Sequence, residues 1–280
     1  LTYALISAAS YGLMSFLVHW NPSQHTVEQM IFIRSVLCVL ILLPFTYHQL
    51  GRCFRPEAKN LWIRCLTGSG GIICYYYTLQ GTASGNANLL FSSSPVFVTL
   101  FAWVLYRERI TKLEAAGIFA ILVGNFLLYL PTRESMPLWV WGLGILGALF
   151  SSVAFLSLGQ ATKKYSSALI VVGFSAVSGL ACLLLPGRPW LPLVVPDLPF
   201  LLGTGLLGLV SQLTATLSFA HLKSSIATAI GRSSILFSGL LDILIAHYRP
   251  HPLVWASYLI VIVGIYLAHQ KHQIRVKTTI

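Results

Sequence analysis

The feature that most constrains this chain is a series of apolar stretches, each about long enough to cross a bilayer. A transmembrane helix needs about 17–25 predominantly apolar residues. The chain has 280 residues, of which 56% are apolar and only 9% are charged, whereas about 25% are charged in a soluble domain. The pattern therefore predicts an all-α integral membrane protein with ten transmembrane helices. The predicted spans are 1–19, 29–48, 61–80, 87–106, 113–130, 138–160, 167–185, 198–219, 225–247 and 252–269.

The positive charges indicate how these spans are oriented. With the N-terminus in the cytoplasm, thirteen Lys and Arg residues fall in inside connectors and three in outside connectors. Cytoplasmic loops carry such an excess, so we expect both termini in the cytoplasm and residues 1–19 as a retained helix. The net charge of +11 is then explained by the Lys and Arg residues that orient the spans. No basic patch interleaved with aromatic residues accompanies it, so we expect no nucleic-acid partner.

The chain repeats itself at a spacing of about 140 residues. Residues 217–250 align with 75–108 at an offset of 142, and 147–175 align with 7–35 at an offset of 140. We therefore predict two five-helix repeats, 1–131 and 132–280. Because five is odd, the two repeats would insert in opposite orientations. Inverted repeats are typical of secondary transporters, in which the substrate binds near the midplane between the halves.

The most specific motif is found in residues 92–130. Its pattern is Ser-Pro, an apolar helix, a turn with an acidic residue and a helix of small residues, represented by Ser94, Pro95, Glu108, Gly117 and Gly124. This pattern resembles the EamA unit of the drug/metabolite transporter superfamily, and Arg34 matches an arginine common in the second helix of that unit. The second half departs from the pattern, with Phe237 and Pro250 in place of Pro95 and Glu108.

The resemblance implies two inverted EamA repeats that move a small molecule by alternating access, with no cofactor. Substrates across the superfamily include amino acids, nucleotide-linked metabolites, organic anions and drugs, so the substrate stays open. We expect an integral protein of a bacterial inner membrane, in contact with lipid, as a monomer or a homodimer.

Two full charges lie inside the predicted span 225–247, namely Arg232 and Asp242. Ionisable groups in hydrocarbon are costly and usually face a cavity or a partner. We interpret Arg232 as a cation that binds a substrate carboxylate or phosphate. Asp242 is the candidate for proton coupling, or else a structural partner of Arg34 at a similar depth. Arg34 itself we interpret as structural.

Polar residues concentrate on the predicted helices 1, 3, 4, 6, 8 and 9, which repeat symmetry relates to one another. Each Ser or Thr could instead bond its own helix backbone, but their convergence favours a hydrated cavity. The predicted substrate-binding residues are Arg232, Ser233, Tyr11, Tyr75, Tyr76, Ser92, Ser94, Ser151 and Gln212.

Three functions are alternatives to the transport of an organic anion or an amino-acid-like metabolite. One is a multidrug or cationic-metabolite exporter of the same fold, and another is a channel. The third is an intramembrane lipid-modifying enzyme or protease, which would need clustered His, Asp or Cys residues within the spans. The five cysteines form no CxxC, and no HExxH or GxSxG motif occurs. We therefore expect no catalytic residues and no metal site.

Overall fold

The computed structural model of the protein describes most of the chain. The described residues are 1–20, 25–82, 87, 90–107, 110–129, 136–185, 190, 192, 195–245 and 252–277. At positions 19–20, 106, 128–129, 239, 242–243, 254 and 268–277, only the backbone is described. Within these ranges the chain is helical and contains no β-strand.

Eleven α-helices make up the described part of the chain, with short 3₁₀ segments in the connectors. They are α1 (Thr2–Trp20), α2 (Val27–Thr46), α3 (Lys59–Gly81), α4 (Ser94–Tyr106), α5 (Lys112–Tyr129), α6 (Leu138–Ala161), α7 (Ser167–Leu184), α8 (Leu198–His221), α9 (Ser224–Gly231), α10 (Ser234–Leu244) and α11 (Pro252–Lys277).

Several helices have the length and composition of membrane spans. Within the described residues, four helical segments are long and apolar enough to cross a bilayer, namely Val27–Phe54, Leu138–Ala161, Ser167–Leu184 and Val195–His221. The structure differs from the sequence-based prediction at 225–247. We expected one continuous helix there, but the chain divides at Arg232 and Ser233 into α9 and α10.

The helices pack as pairs drawn from the two halves of the chain. Helix α3 packs along α6, and α1 packs along α8. Helix α2 lies against α7, and α5 lies against α11. The short helices also cross between the halves, with α4 against α6 and α9, and α10 against α1. Since every one of these pairs joins the two halves, the core is a shared interface.

Small residues allow the closest of these approaches. A Cβ atom added to Gly124 on α5 would lie 2.5 Å from Cγ2 of Val261 and 3.0 Å from the carbonyl oxygen of Ser257, both on α11. A Cβ at Gly264 would lie 2.9 Å from the carbonyl oxygen of Gly117. Backbones approach this closely only where side chains are small. The small residues of these two helices therefore serve helix packing.

A polar tie joins the start of α5 to the turn before α9. The backbone N–H of Thr111 donates to Oε2 of Glu114 (2.8 Å), and the N–H of Glu114 donates to Oγ1 of Thr111 (3.2 Å). This reciprocal pair is a capping box. Nζ of Lys223 also donates to Oε1 of Glu114 at 2.8 Å. The charge of Glu114 is therefore satisfied at the helix end and is not available to groups deeper in the protein.

Candidate functional site

A cavity lies between the two halves, with an empty volume of about 780 Å³ that includes its opening to solvent. Helices α1, α3, α6, α8 and α9 contribute most of its walls. Its walls are largely apolar, with a few polar groups that converge on the interior, as is usual for small-molecule sites. The polar side chains in the lining are Ser7, Tyr11, Arg64, Tyr75, Ser151, Ser211, Gln212, Ser218, Thr228 and Arg232.

Arg232 lies at the break between α9 and α10 and points into this cavity. Its backbone N–H still bonds the carbonyl of Thr228 at 3.1 Å, so the residue is the C-terminal cap of α9. Nε of its guanidinium donates to Oγ of Ser94 at 3.0 Å. The guanidinium carbon Cζ lies 5.7 Å from the ring centre of Phe91 and 5.6 Å from that of Phe155. These contacts orient the cation without neutralising it.

A serine hydroxyl bonds the backbone at the break that presents Arg232, and the same arrangement occurs in the first half. Oγ of Ser233 donates to the carbonyl of Ile230 at 2.7 Å, and Oγ of Ser93 donates to the carbonyl of Leu90 at 2.7 Å. These two pairs lie 140 positions apart. The sequence alignment of this hairpin used an offset of 142, which placed Arg232 over Leu90. The hydrogen bonds give an offset of 140 instead, which makes Ser92 the counterpart of Arg232 in the first half.

A second cation in the cavity, Arg64, was not among the predicted site residues. It was one of the thirteen Lys and Arg residues assigned to inside connectors when the spans were oriented. In the structure it lies on the second turn of α3 and is 3% exposed. Its Nη2 donates to Oε1 of Gln212 at 3.1 Å, and its Cζ lies 4.4 Å from the ring centre of Phe174. Its Nε is buried without a hydrogen-bond partner among the described residues. The signal that could have found it was its position inside the predicted span 61–80.

Tyrosines close the deep end of the cavity. Tyr75 is 1% exposed, and its hydroxyl shares a 3.0 Å hydrogen bond with Oγ of Ser15. The ring of Tyr11 lies 5.5 Å from that of Tyr75, centre to centre, and Tyr75 also makes an edge contact with Phe91 at 4.7 Å. The structure therefore brings five predicted residues together in the lining, namely Tyr11, Tyr75, Ser151, Gln212 and Arg232.

The other predicted residues lie outside the lining. Oγ of Ser92 accepts a 3.0 Å hydrogen bond from Nδ2 of Asn125, and Tyr76 donates to Sδ of Met14 at 3.8 Å. Ser233 is turned toward its own helix, as described above. Ser94 reaches the cavity only through its bond to Arg232. Asp242 lies on α10, and its side chain is outside the described part of the structure.

The described acidic side chains are engaged away from the cavity. Glu28 accepts a hydrogen bond from the hydroxyl of Tyr77, and Oδ2 of Asp197 lies 3.0 Å from Nε2 of His25. Glu114 pairs with Lys223, and Glu57 is exposed on a 3₁₀ turn. Among the acids whose side chains are described, none forms an ion pair with Arg64 or Arg232. In this part of the chain, the cavity holds two buried positive charges and no negative charge.

Arg34 is a third buried arginine, but it is not part of the cavity lining. It is 5% exposed, and its guanidinium lies near the Tyr76 hydroxyl. It packs against α8, where a Cβ at Gly208 would lie 2.8 Å from Cδ of Arg34. These contacts join α2 to α3 and α8. They support the structural interpretation of Arg34. The predicted alternative, a pair between Arg34 and Asp242, involves the Asp242 side chain, which lies outside the described part of the structure.

Comparison with known proteins identifies the first half of the chain. The profile of the EamA-like transporter family matches residues 1–130. Residues 1–130 thus form an EamA domain. This EamA domain contains the Ser94–Gly124 motif that suggested the resemblance, so that prediction is confirmed.

Relatives of the whole chain are also transporters. The pseudopaline exporter CntI of Pseudomonas aeruginosa is 24% identical over 239 residues, which cover 84% of this chain and 83% of the relative. Solute carrier family 35 member G1 of mouse is 26% identical, covering 87% of this chain and 70% of the relative. The EamA family and these relatives are transporters and not enzymes, which confirms the prediction that the chain is not an enzyme.

A solved structure agrees with the fold over nearly the full length. One crystal structure superposes with a TM-score of 0.74 at 14% identity, covering 97% of this chain and 96% of the other. At this identity the likeness concerns the fold alone. The EamA domain, the transporter relatives and the apolar helices of the described chain indicate an integral membrane protein.

Proposed function

We propose that the protein is a secondary transporter that moves a small organic anion across the membrane by alternating access. The observation that carries this proposal is the cavity containing Arg64 and Arg232, with no described acid beside them. A desolvated guanidinium is unfavourable without a partner, and a carboxylate or phosphate supplies charge-assisted, often bidentate, hydrogen bonds. A bound anion would therefore offset the charge that the described acidic side chains leave unpaired.

Two inverted repeats, 1–131 and 132–280, are the architecture that we propose for this movement. The matching serine hydrogen bonds 140 positions apart support it. So does the pairing of helices, because exchanging the first five spans for the second five turns the α3–α6 contact into the α1–α8 contact. In inverted-repeat transporters the substrate site lies between the halves, which is where this cavity lies.

We also propose that both termini are cytoplasmic, in a bacterial inner membrane, and that the cavity faces the cytoplasm. Its lining includes Ala4 near the start of α1, Arg64 near the start of α3 and Ser218 near the end of α8. The charge bias assigns all three helix ends to the cytoplasmic side. Tyr75 lies toward the opposite side and closes the cavity there.

The runner-up is an exporter of cationic metabolites or drugs. The aromatic residues in the lining would suit it, since Phe91, Phe155, Phe174 and Phe219 could contact an organic cation. Two buried arginines would repel that cation, however, and we therefore prefer an organic anion as the substrate. Because one relative is named an exporter, export is the direction that we propose to test first.

A ligand screen tests this function. Protein in detergent is heated with carboxylates, nucleotides, amino acids or lipophilic cations, and the shift in its melting temperature is recorded. The account predicts that anions of one class raise the melting temperature and that cations do not. Stabilisation by cations alone would instead favour the drug-exporter alternative.

Asp242 remains our candidate for proton coupling. If transport is driven by protons, Asp242→Asn is expected to abolish uptake that is driven by a pH gradient while it leaves substrate exchange intact. The measurement compares both activities in proteoliposomes. An Asn variant that behaves like the parent in both assays would assign Asp242 a structural role.

A further inference from the structure

The two buried arginines share one aromatic ring. Cζ of Arg64 lies 6.0 Å from the ring centre of Phe155, and Cζ of Arg232 lies 5.6 Å from the same centre. The two guanidinium carbons are therefore no more than about 12 Å apart. Phe155 is in turn stacked on Phe219, with ring centres 5.3 Å apart and an interplanar angle of 14°. The ring lies close to both cations and has a fixed position.

Each guanidinium is bonded to neutral groups only, as far as the described side chains show. Arg64 is bonded to the amide oxygen of Gln212, and its Nε has no partner within the described residues. Arg232 is bonded to the hydroxyl of Ser94. One singly charged substrate would satisfy one of the two cations and leave the other uncompensated in a poorly hydrated site.

The two arginines are also carried by opposite halves of the chain. Arg64 is on α3, in the EamA domain, and Arg232 is at the α9–α10 break in the second half. The lining of the same cavity also contains small apolar residues, such as Ile72, Ala154 and Ala215. The cavity is therefore lined by one buried cation from each half of the chain.

From this geometry we propose that Arg64 and Arg232 together bind a substrate with two separate anionic groups, such as a short dicarboxylate. This proposal rests on the proposed function and narrows its substrate class. A bidentate guanidinium–carboxylate pair spans about 4 Å between the two central carbons. Because the guanidinium carbons are at most about 12 Å apart, two such pairs in line leave at most about 4 Å between the two carboxylate carbons, so the linker must be short. Such a substrate would link the two halves through their charged residues.

The test uses dicarboxylates and their monomethyl esters, which keep the length of each molecule and remove one charge. Binding of succinate, glutarate and adipate, each with its own monomethyl ester, is measured calorimetrically on the full chain in nanodiscs. We expect at least one dicarboxylate to bind about tenfold or more tightly than its ester. Methyl phosphate, a dianion with both charges on one group, is expected to bind less tightly than that dicarboxylate.

Variants then assign the preference to the arginines. In Arg64→Gln the affinity for the dicarboxylate is expected to fall to within about twofold of the affinity for its ester. The ester itself is expected to bind almost as it does to the parent chain. Arg64→Lys keeps the charge and is expected to keep part of the ratio, and its melting temperature controls for folding. Arg55→Gln removes an exposed arginine on the connector after α2 and is expected to leave the ratio unchanged.

The outcomes separate this inference from the function on which it rests. If esters and dicarboxylates bind equally, and Arg232→Gln weakens both, the anion-transporter proposal stands and the two-cation site is wrong. The two-cation site is also overturned if the dicarboxylate-to-ester affinity ratio is unchanged in Arg64→Gln. The same holds if methyl phosphate binds more tightly than every dicarboxylate. If no anion binds while a lipophilic cation does, the proposed function fails as well.

Discussion

Arg232 is the residue on which the account depends most. It is a buried cation held by a serine hydroxyl and two aromatic rings, and none of the acidic side chains that the structure describes pairs with it. Its surroundings thus resemble an anion site before the anion arrives. Truncating one partner of a desolvated charge pair costs about 2–5 kcal/mol.

Arg232→Ala is therefore expected to weaken binding of the best anion by about 2 kcal/mol or more, and Arg232→Lys by less, because lysine keeps the charge but loses the fork geometry. The measurement is the affinity ratio between that anion and a neutral analogue. Arg55→Gln serves as the matched control at an exposed position. An unchanged ratio in Arg232→Ala would assign Arg232 to a structural role.

At this scale the sequence predicted some site residues and missed others for identifiable reasons. Arg232 was found because a full charge deep in an apolar run requires an explanation. Arg64 was missed because an arginine one turn inside a span end can extend to the headgroups or turn inward, and sequence alone does not distinguish the two. Ser92 and Tyr76 have the right polarity, but which face of a helix meets the cavity depends on tertiary packing.

At the scale of the element, the break between α9 and α10 is the clearest difference from the sequence-based expectation. In the first half Pro95 marks the break, and it begins α4 as a proline suited to a first helical turn. The second half has no proline there, and an uninterrupted span was predicted in both halves, at 87–106 and 225–247. At the break in the second half, the hydroxyl of Ser233 bonds the carbonyl three residues earlier. Serine also forms such bonds in continuous helices, so the sequence signal was ambiguous.

Packing of α5 on α11 gives a matched pair of glycine substitutions. Gly124→Ala would place a methyl group 3.0 Å from the backbone carbonyl of Ser257, whereas Gly142 on α6 has nothing within 4 Å of an added Cβ. We expect Gly124→Ala to lower stability by about 1–3 kcal/mol through overpacking. Gly142→Ala should be neutral or stabilise slightly, because alanine favours the helix.

The readout is the melting temperature of each variant in the same detergent. Equal melting temperatures for Gly124→Ala and Gly142→Ala would contradict the close α5–α11 contact. A decrease confined to Gly142→Ala would contradict it as well and would place the tight contact on α6 instead.

For the whole molecule, the ordering of the spans was the most predictable property. Apolar length, short connectors and the bias of Lys and Arg predicted the helices, because the bilayer demands internally satisfied backbone hydrogen bonds. Which helices pack together was not predictable in the same way. Contacts such as α3–α6 and α1–α8 join residues far apart in sequence, and no sequence pattern predicted them.

Topology mapping tests the arrangement of the whole chain. Single cysteines introduced in a cysteine-free background, within 52–59 and within 271–277, are expected to react with a membrane-impermeant thiol reagent from the same side. Cysteines at positions 133 and 249 are expected to react from the opposite side. Labelling of 52–59 and 271–277 from opposite sides would contradict the ten-span inverted repeat.

The most direct measurement is counterflow in proteoliposomes. Vesicles containing purified protein are loaded with the anion that gives the largest thermal stabilisation, and uptake of the same labelled anion is followed over time. The account predicts uptake by the parent chain and by Arg55→Gln, strongly reduced uptake by Arg232→Ala, and none of a labelled organic cation under the same conditions. Undiminished anion uptake by Arg232→Ala, or preferential uptake of the cation, would contradict the claim that this cavity transports anions.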